Sequence, residues 1–520
     1  MNAAAPRPIR LLRAFATVGS WTMASRVLGF VRDVMIAALL GAGPMAEAFF
    51  VAFRLPNMFR RFFAEGAFNM AFVPLFAKRL EAGEDAKGFA EEALAGLLFV
   101  LLLLSALALI FMPALIFLLA AGFADDPARF DLAVLYARIQ FPYLLCMALT
   151  ALFSGVLNAL GRFAAPAAAP VLLNVILIGA MAVAAGAAAP VGSALALGVL
   201  AAGFAQVWLV ARAARLSGMS LRLRRPRWSP AMRRLLVLGA PGAVSGGVMQ
   251  INLLIGTVIA SFHAGAVAWL SYADRLYQLP LGVVGVAIGV VLLPELSRRF
   301  RAGDGAGARA AFCRAAEFSM ALTLPAAVAL VALAGPLAAV LFGRGAFGAE
   351  DAAAVARATA LFALGLPAFV MQKVVQPAFF AREDTKTPLY CALASVALNT
   401  AVSAGGAPLI GWEAIPLGTT LAGWLNLALL WRFARAFGDD VAPDERLRRR
   451  LPRLLAASLL MGAALFAAAA AMECALVAPG LRYAALGLLV LGGGVVYAAA
   501  AWGLGGFAPA DLRAAMRRGR

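Results

Sequence analysis

The run Leu97-Leu-Phe-Val-Leu-Leu-Leu-Leu-Ser-Ala-Leu-Ala-Leu-Ile110 lies inside a stretch, residues 93–120, that contains no charged residue. A helix rises about 1.5 Å per residue and the hydrocarbon layer of a bilayer is about 30 Å thick, so about 20 mostly apolar residues are enough to cross it. A soluble helix of this length keeps a polar face. This one has none, and it predicts a transmembrane span over residues 92–121.

Thirteen further segments pass the same test, at 18–41, 45–77, 131–160, 167–188, 191–211, 235–261, 265–296, 315–342, 352–380, 388–406, 413–434, 453–476 and 481–505. The fold class expected is therefore an all-α polytopic membrane protein with fourteen transmembrane helices. Composition agrees: 63% of the 520 residues are hydrophobic and 14% are charged, which excludes an ordinary soluble domain. A net charge of +19 would suggest nucleic acid in a soluble chain. Here the cations fall between the apolar runs, where they act as topological signals, and no nucleic-acid partner is expected.

Every second connection is basic. Lys78–Lys87, Arg212–Arg234 (eight arginines and no acid), Arg298–Arg314, Arg382–Lys386 and Arg432–Arg453 are assigned to the cytoplasm. The alternate set holds Asp125 and Asp126, the uncharged 187–190 segment, His263, Glu350 with Asp351, and the nearly neutral 405–412 segment. Both termini then face the cytoplasm, as an even number of spans requires. Arg7, Arg10 and Arg13 precede the first span as in a signal peptide, but Arg26, Arg32 and Asp33 interrupt the run, so it reads as an uncleaved helix. Cys146, Cys313, Cys391 and Cys474 have neither zinc-ligand nor disulfide-framework spacing and read as small apolar filler.

An internal repeat follows. Arg54-Leu55 recurs as Arg275-Leu276, Pro74 as Pro294, Glu91 as Glu317, Pro113 as Pro336, Pro142 as Pro367, Arg162 as Arg382 and Pro166 as Pro388. Six spans per copy return the chain to its starting side, so the copies share one orientation and relate by a pseudo-two-fold axis along the membrane normal. The expected domains are an N-lobe at 1–217, a basic cytoplasmic loop at 218–234, a C-lobe at 235–437, and 438–520, holding the two unrepeated spans and a basic tail.

Charges at membrane depth carry the chemistry. Span 1 contains Ser25-Arg-Val-Leu-Gly-Phe-Val-Arg-Asp33; span 2 spaces Glu47, Arg54, Arg61 and Glu65 by seven, seven and four residues on one face, with Arg60 beside Arg61 and Pro56 placed to kink the helix. Asp274 and Arg275 stand opposite Arg54 in the repeat, and Gln250 and Asn252 add polar groups. An ion in lipid costs at least ~2.5–3.5 kcal/mol, so these groups face water, a partner or a ligand. Arg26, Arg32, Arg54, Arg60, Arg61 and Arg275 outnumber Asp33, Glu47, Glu65 and Asp274. Structural ion pairs would balance; an excess of planar guanidinium forks suits phosphate or diphosphate oxygens. Snorkelling at the membrane surface is the alternative for Arg60 and Arg61. The sequence has no Walker loop, metalloprotease motif or nucleophile elbow, and the single histidine, His263, lies in an outer loop. No enzyme, metal or cofactor is expected.

Ser25–Asp33, Ala48-Phe-Phe-Val-Ala-Phe-Arg-Leu-Pro-Asn57 and Arg60-Arg-Phe-Phe-Ala-Glu-Gly-Ala-Phe68 resemble the signature stretches of the MurJ (MviN) family of lipid II flippases, as do Tyr272-Ala-Asp-Arg-Leu276 and Thr385-Lys-Thr-Pro388. The resemblance covers nearly the whole chain. It implies a member of the multidrug/oligosaccharidyl-lipid/polysaccharide (MOP) exporter superfamily in the bacterial inner membrane. Such a protein would move the undecaprenyl-diphosphate-linked precursor lipid II to the periplasmic leaflet by alternating access, for cell-wall synthesis. Membrane potential or a monovalent cation would drive it, with membrane lipids and other cell-wall synthesis proteins as partners. The resemblance carries the family's essential residues onto Arg26, Arg32, Asp33, Glu47, Arg60, Glu65, Asp274 and Arg275, and assigns segment 453–505 to the polyprenyl tail. Glu47 stands where the family usually has aspartate. A related exporter of O-antigen-type lipid-linked sugars or of drugs is the alternative; a drug exporter would be expected to have a net acidic cavity. A membrane-embedded glycosyltransferase or phosphatase would need paired catalytic carboxylates, which the sequence lacks.

Overall fold

The computed structural model describes residues 8–60, 67–227 and 229–506. Among these, the regular structure is entirely helical. The first ten helices are α1 (Pro8–Leu40), α2 (Pro44–Arg60), α3 (Ala67–Glu81), α4 (Ala86–Ile110), α5 (Met112–Leu119), α6 (Pro127–Gln140), α7 (Tyr143–Ala159), α8 (Ala164–Gly186), α9 (Val191–Leu216) and α10 (Pro230–Ser261). They continue with α11 (Ala266–Arg301), α12 (Gly305–Ala332), α13 (Ala334–Phe342), α14 (Ala349–Phe380), α15 (Lys386–Ile410), α16 (Ala414–Ala434), α17 (Glu445–Ala471), α18 (Glu473–Val477) and α19 (Arg482–Gly503).

Nine helical stretches of the described residues are long and apolar enough to cross a membrane, and one of them, 386–438, contains both α15 and α16. Several sequence-predicted spans are built from two helices: 92–121 from α4 and α5, 131–160 from α6 and α7, 315–342 from α12 and α13. Pro113, Pro142 and Pro336 sit just inside or before the second helix of each pair, where a missing N–H costs little. Pro56 behaves differently. The α2 helix runs through it without a break, and Asn57 Nδ2 donates to Phe53 O at 2.7 Å beside it.

The backbone carries the repeat as well. Left-handed residues at helix ends recur in pairs: Gly41 with Gly265, Gly83 with Gly303, Gly161 with Glu383, Ala188 with Gly411 and Gly218 with Gly438. Asp85 and Asp304 cap α4 and α12 by accepting from Gly88 N and Gly307 N.

By packing, the chain divides between Ala268 and Trp269. In the first unit α1 packs on α8, α8 and α7 on α9, α2 on α6, and α10 on α3. In the second, α16 packs on α15 and α14, α12 lies between α14 and α17, and α17 packs on α19. The second unit's core joins Phe312, Cys313, Val374, Phe379, Cys391 and Leu430. Lipid removes the hydrophobic drive between helices, so such cores hold by close packing and by polar bonds across the helices.

One such polar centre is Glu317 on α12. Its carboxylate takes Arg446 at 3.1 Å and Arg314 at 2.8 Å, together with Arg450. Arg450 is 13% exposed. Removing Glu317 takes the anion from that largely buried guanidinium, a loss of roughly 3–5 kcal/mol, whereas Glu445 pairs with the exposed Arg449 and its loss costs under about 1 kcal/mol. Thermal unfolding of purified Glu317→Ala and Glu445→Ala should therefore show a large downshift for the first only; equal shifts would refute the assignment.

Candidate functional site

Three polar constellations hold the candidate residues of the first unit. On α1, Arg32 is 7% and Asp33 4% exposed. Arg32 Nε and Nη2 donate to Asp33 Oδ1 at 3.0 and 2.7 Å, and Nη1 donates to Asn174 Oδ1 on α8 at 2.9 Å. Asn174 Nδ2 donates back to Ser25 O at 2.9 Å, so both ends of the amide are fixed and α1 is tied to α8 at two points. A guanidinium has five N–H donors. These bonds use three.

The second constellation surrounds Glu47, in the first turn of α2 and 1% exposed. Its Oε2 accepts from Arg129 Nη1 of α6 at 2.9 Å and its Oε1 accepts from Val267 N at 3.3 Å. Arg129 Nη2 also donates to Gly122 O and Ser261 O, each at 3.2 Å, while its guanidinium lies 4.2 Å from the Phe123 ring centroid. Gly122 N donates to Ser261 Oγ at 2.9 Å. A Cβ on Gly122 would lie 2.5 Å from the Phe262 nitrogen, a backbone atom that cannot swing aside, so only glycine permits this approach. These bonds pin the turn between α10 and α11 to α2, α6 and the segment after α5. They explain why packing places α10 with the first unit, although the sequence repeat begins its second copy there.

In the third, Arg54 Nη1 on α2 donates to the Thr257 hydroxyl of α10, which itself donates to Leu253 O. Arg26 differs from all of these. It is half-buried on α1, and among the described residues its side chain has no hydrogen bond or ion pair. Arg60 ends α2; its side chain, with Arg61 and Glu65, lies outside the described residues.

Asp274 and Arg275 sit on α11 in the second unit. Asp274 accepts from Gln278 Nε2, and the neighbouring Tyr277 stacks on Phe362 of α14 with ring centroids 4.8 Å apart. Arg275 is half-buried and engaged by neighbouring groups. The Thr385-Lys-Thr-Pro388 stretch opens α15, where Asp384 Oδ1 accepts from Lys386 N and Thr387 N at 3.1 and 3.0 Å. The Thr387 N–H holds the Asp384 carboxyl below its ordinary range.

Arg129 and Asn174 were not among the candidates. Arg129 falls two residues before the expected start of its span and reads as a loop cation; Asn174 is a single amide in an apolar run. Neither carries a local signal in the sequence. In the second unit α11 likewise bonds the start of α14, Trp269 Nε1 donating to Asp351 Oδ1 at 2.8 Å.

The profile of the family described as "Lipid II flippase MurJ" matches residues 36–478. A Rhizobium meliloti protein named probable lipid II flippase MurJ is 48% identical, the match covering 98% of this chain and 97% of the relative. The lipid II flippase MurJ of Burkholderia cenocepacia is 36% identical over 87% of this chain and 89% of its own. Among solved structures, lipid II flippase MurJ in an inward closed conformation superposes with a TM-score of 0.79 at 23% identity, covering 93% of this chain and 97% of that one. An inward-facing MATE-family multidrug transporter of the MOP superfamily superposes at 0.67 with 15% identity, over 81% and 97%. These two show the fold, and the sequence matches show more: this multi-pass membrane protein belongs to the lipid II flippase MurJ family.

Proposed function

We propose that the protein moves lipid II, the undecaprenyl-diphosphate-linked peptidoglycan precursor, from the cytoplasmic to the periplasmic leaflet of the bacterial inner membrane by alternating access. Both termini lie in the cytoplasm in this reading. The observation that carries it is Arg26, a guanidinium within an apolar helix that has no counter-charge among the described residues. An uncompensated cation at that depth is stable against water or an anion and costly against lipid. A diphosphate supplies the anion.

Arg32 is prepared for the same task. Two of its five N–H groups are unused by Asp33 and Asn174, so it can take a phosphate oxygen while staying anchored to α8. Arg54, Arg60, Arg61 and Arg275 complete the proposed substrate set; Asp33, Glu47, Glu65 and Asp274 balance charge and gate. No bond is made or broken in the substrate. Membrane potential, or a monovalent cation moving down its gradient, supplies the driving energy.

In cells depleted of their own flippase, the wild-type chain should restore growth and the appearance of precursor in the outer leaflet. Arg26→Ala, Arg32→Ala and Arg275→Ala should each fail at normal membrane abundance. Full rescue by all three would sink the diphosphate assignment, and failure of the wild type would sink the substrate.

The Glu47–Arg129 pair makes a separate expectation. Each single change, Glu47→Ala or Arg129→Ala, takes a buried charge from its close partner, Arg129 keeping only the half-exposed Asp126 at 4.0 Å, and should lower stability by roughly 3–5 kcal/mol, with the double variant losing much less than the sum. Unfolding midpoints of the purified variants test this. Additive losses would show that the two residues are not coupled.

A further inference from the structure

The ends of α3 and α11 are the same element in the two copies of the repeat, and a leucine of the first stands where the second has a glutamate. Pro74 and Pro294 set the register, which makes Arg79 the counterpart of Arg299 and Glu84 that of Asp304. The backbone agrees. Gly83 and Gly303 have φ of 69° and 68°, and Glu84 N and Asp304 N donate to the carbonyls of Arg79 and Arg299 at 3.0 Å each.

In the second unit the two counterpart arginines are paired. Glu295 takes Arg299 Nε at 2.6 Å and also pairs with Arg298, and Arg299 Nη1 lies 3.0 Å from Asp304 Oδ2. In the first unit the position of Glu295 is held by Leu75. Lys78, the counterpart of Arg298, has no carboxylate within ion-pair reach among the described residues, and Arg79 Nε lies 3.9 Å from Glu84 Oε2. The α10 helix adds Arg234, exposed and also without a carboxylate within ion-pair reach among the described residues. Around this site three cations, Lys78, Arg79 and Arg234, meet one lining acid, Glu84.

Leu75, Lys78, Arg79, Glu84, Phe89 and Arg234 line a cavity of about 130 Å³. The Arg79 guanidinium sits 4.6 Å from the centroid of Phe89, which is buried and stacked on Phe72, so the cation is oriented before any ligand arrives. We propose that this cavity binds a phosphate group, that of an anionic lipid headgroup in the adjoining leaflet, where the other copy uses the Glu295 carboxylate. A phosphoryl group offers several acceptor oxygens to a guanidinium fork and an ammonium at once. The connections that carry these cations are the basic ones, next to which anionic lipids concentrate. None of these residues belongs to the proposed transport site, so binding here is separable from flipping.

The test offers purified full-length protein, in neutral detergent, phosphatidylglycerol, phosphatidylcholine or inorganic phosphate, and counts retained ligand by native mass spectrometry. Wild type should hold one phosphatidylglycerol roughly tenfold more tightly than phosphatidylcholine. Leu75→Glu, which restores the internal carboxylate, should abolish that preference, and Arg234→Ala, a change at an exposed position, should weaken it roughly tenfold. Inorganic phosphate bound by wild type and lost in Leu75→Glu, with no lipid preference, supports the phosphate site and assigns it to a free anion. Unchanged retention in both variants, or equal retention of the two lipids without phosphate binding, overturns the proposal.

Discussion

An ionised side chain inside a bilayer must have a counter-charge, a full set of hydrogen bonds or water, and in this protein that requirement selects which helices meet. Apolar faces do not choose partners in lipid, because the tails are as apolar as the helices. Charges do. Arg32 and Asp33 with Asn174 join α1 to α8, Glu47 with Arg129 joins α2 to α6, and Glu317 gathers three arginines to join α12 to α17. Each link joins residues distant in sequence, and each would leave a buried charge exposed to lipid if the helices packed otherwise.

The repeat shows how one scaffold keeps some links and exchanges others. Glu91 holds Arg224 at 2.6 Å, and its counterpart Glu317 holds Arg446 at 3.1 Å. The acid is kept in both copies. Where the Glu47–Arg129 ion pair joins α2 to α6, the second unit joins α11 to α14 by an indole donating to a carboxylate, Trp269 to Asp351, a hydrogen bond without an ion pair. Arg162 is exposed, whereas its counterpart Arg382 is clamped between Phe300 and Phe437, at 3.7 and 4.3 Å, and bonded to Asp440. Matching backbones with divergent side chains let each copy carry a different chemistry on one geometry.

This distinction also explains what could be read from residues alone. Span positions and the basic connections were legible because length and hydropathy are local properties. The repeat was legible because its prolines and charges keep their order. Helix interruptions were not: Pro113, Pro142 and Pro336 mark breaks, while Pro56 and Pro74 lie inside continuous helices, and only the surrounding packing tells the two cases apart. Arg129 escaped because its meaning depends on a glutamate 82 positions earlier and on a hydropathy boundary that falls at residue 131. The count set Glu47 against the arginines of the spans, whereas the structure pairs it with Arg129, which the count left out.

The bonds around Glu47 fall into two classes of strength, and the difference bears on how the protein can move. Separating Glu47 from Arg129 would strand two buried charges, a cost of roughly 3–5 kcal/mol. The bonds that reach the turn between α10 and α11 are of another kind: Arg129 Nη2 to Ser261 O, Val267 N to Glu47 Oε1, and Gly122 N to Ser261 Oγ. Bonds of this sort contribute about 0.5–1.5 kcal/mol each, somewhat more where a charge takes part. Their sum is a few kcal/mol, the size of the gap between interconverting conformations. The turn can therefore leave while the ion pair stays intact on α2 and α6, neutral as a unit.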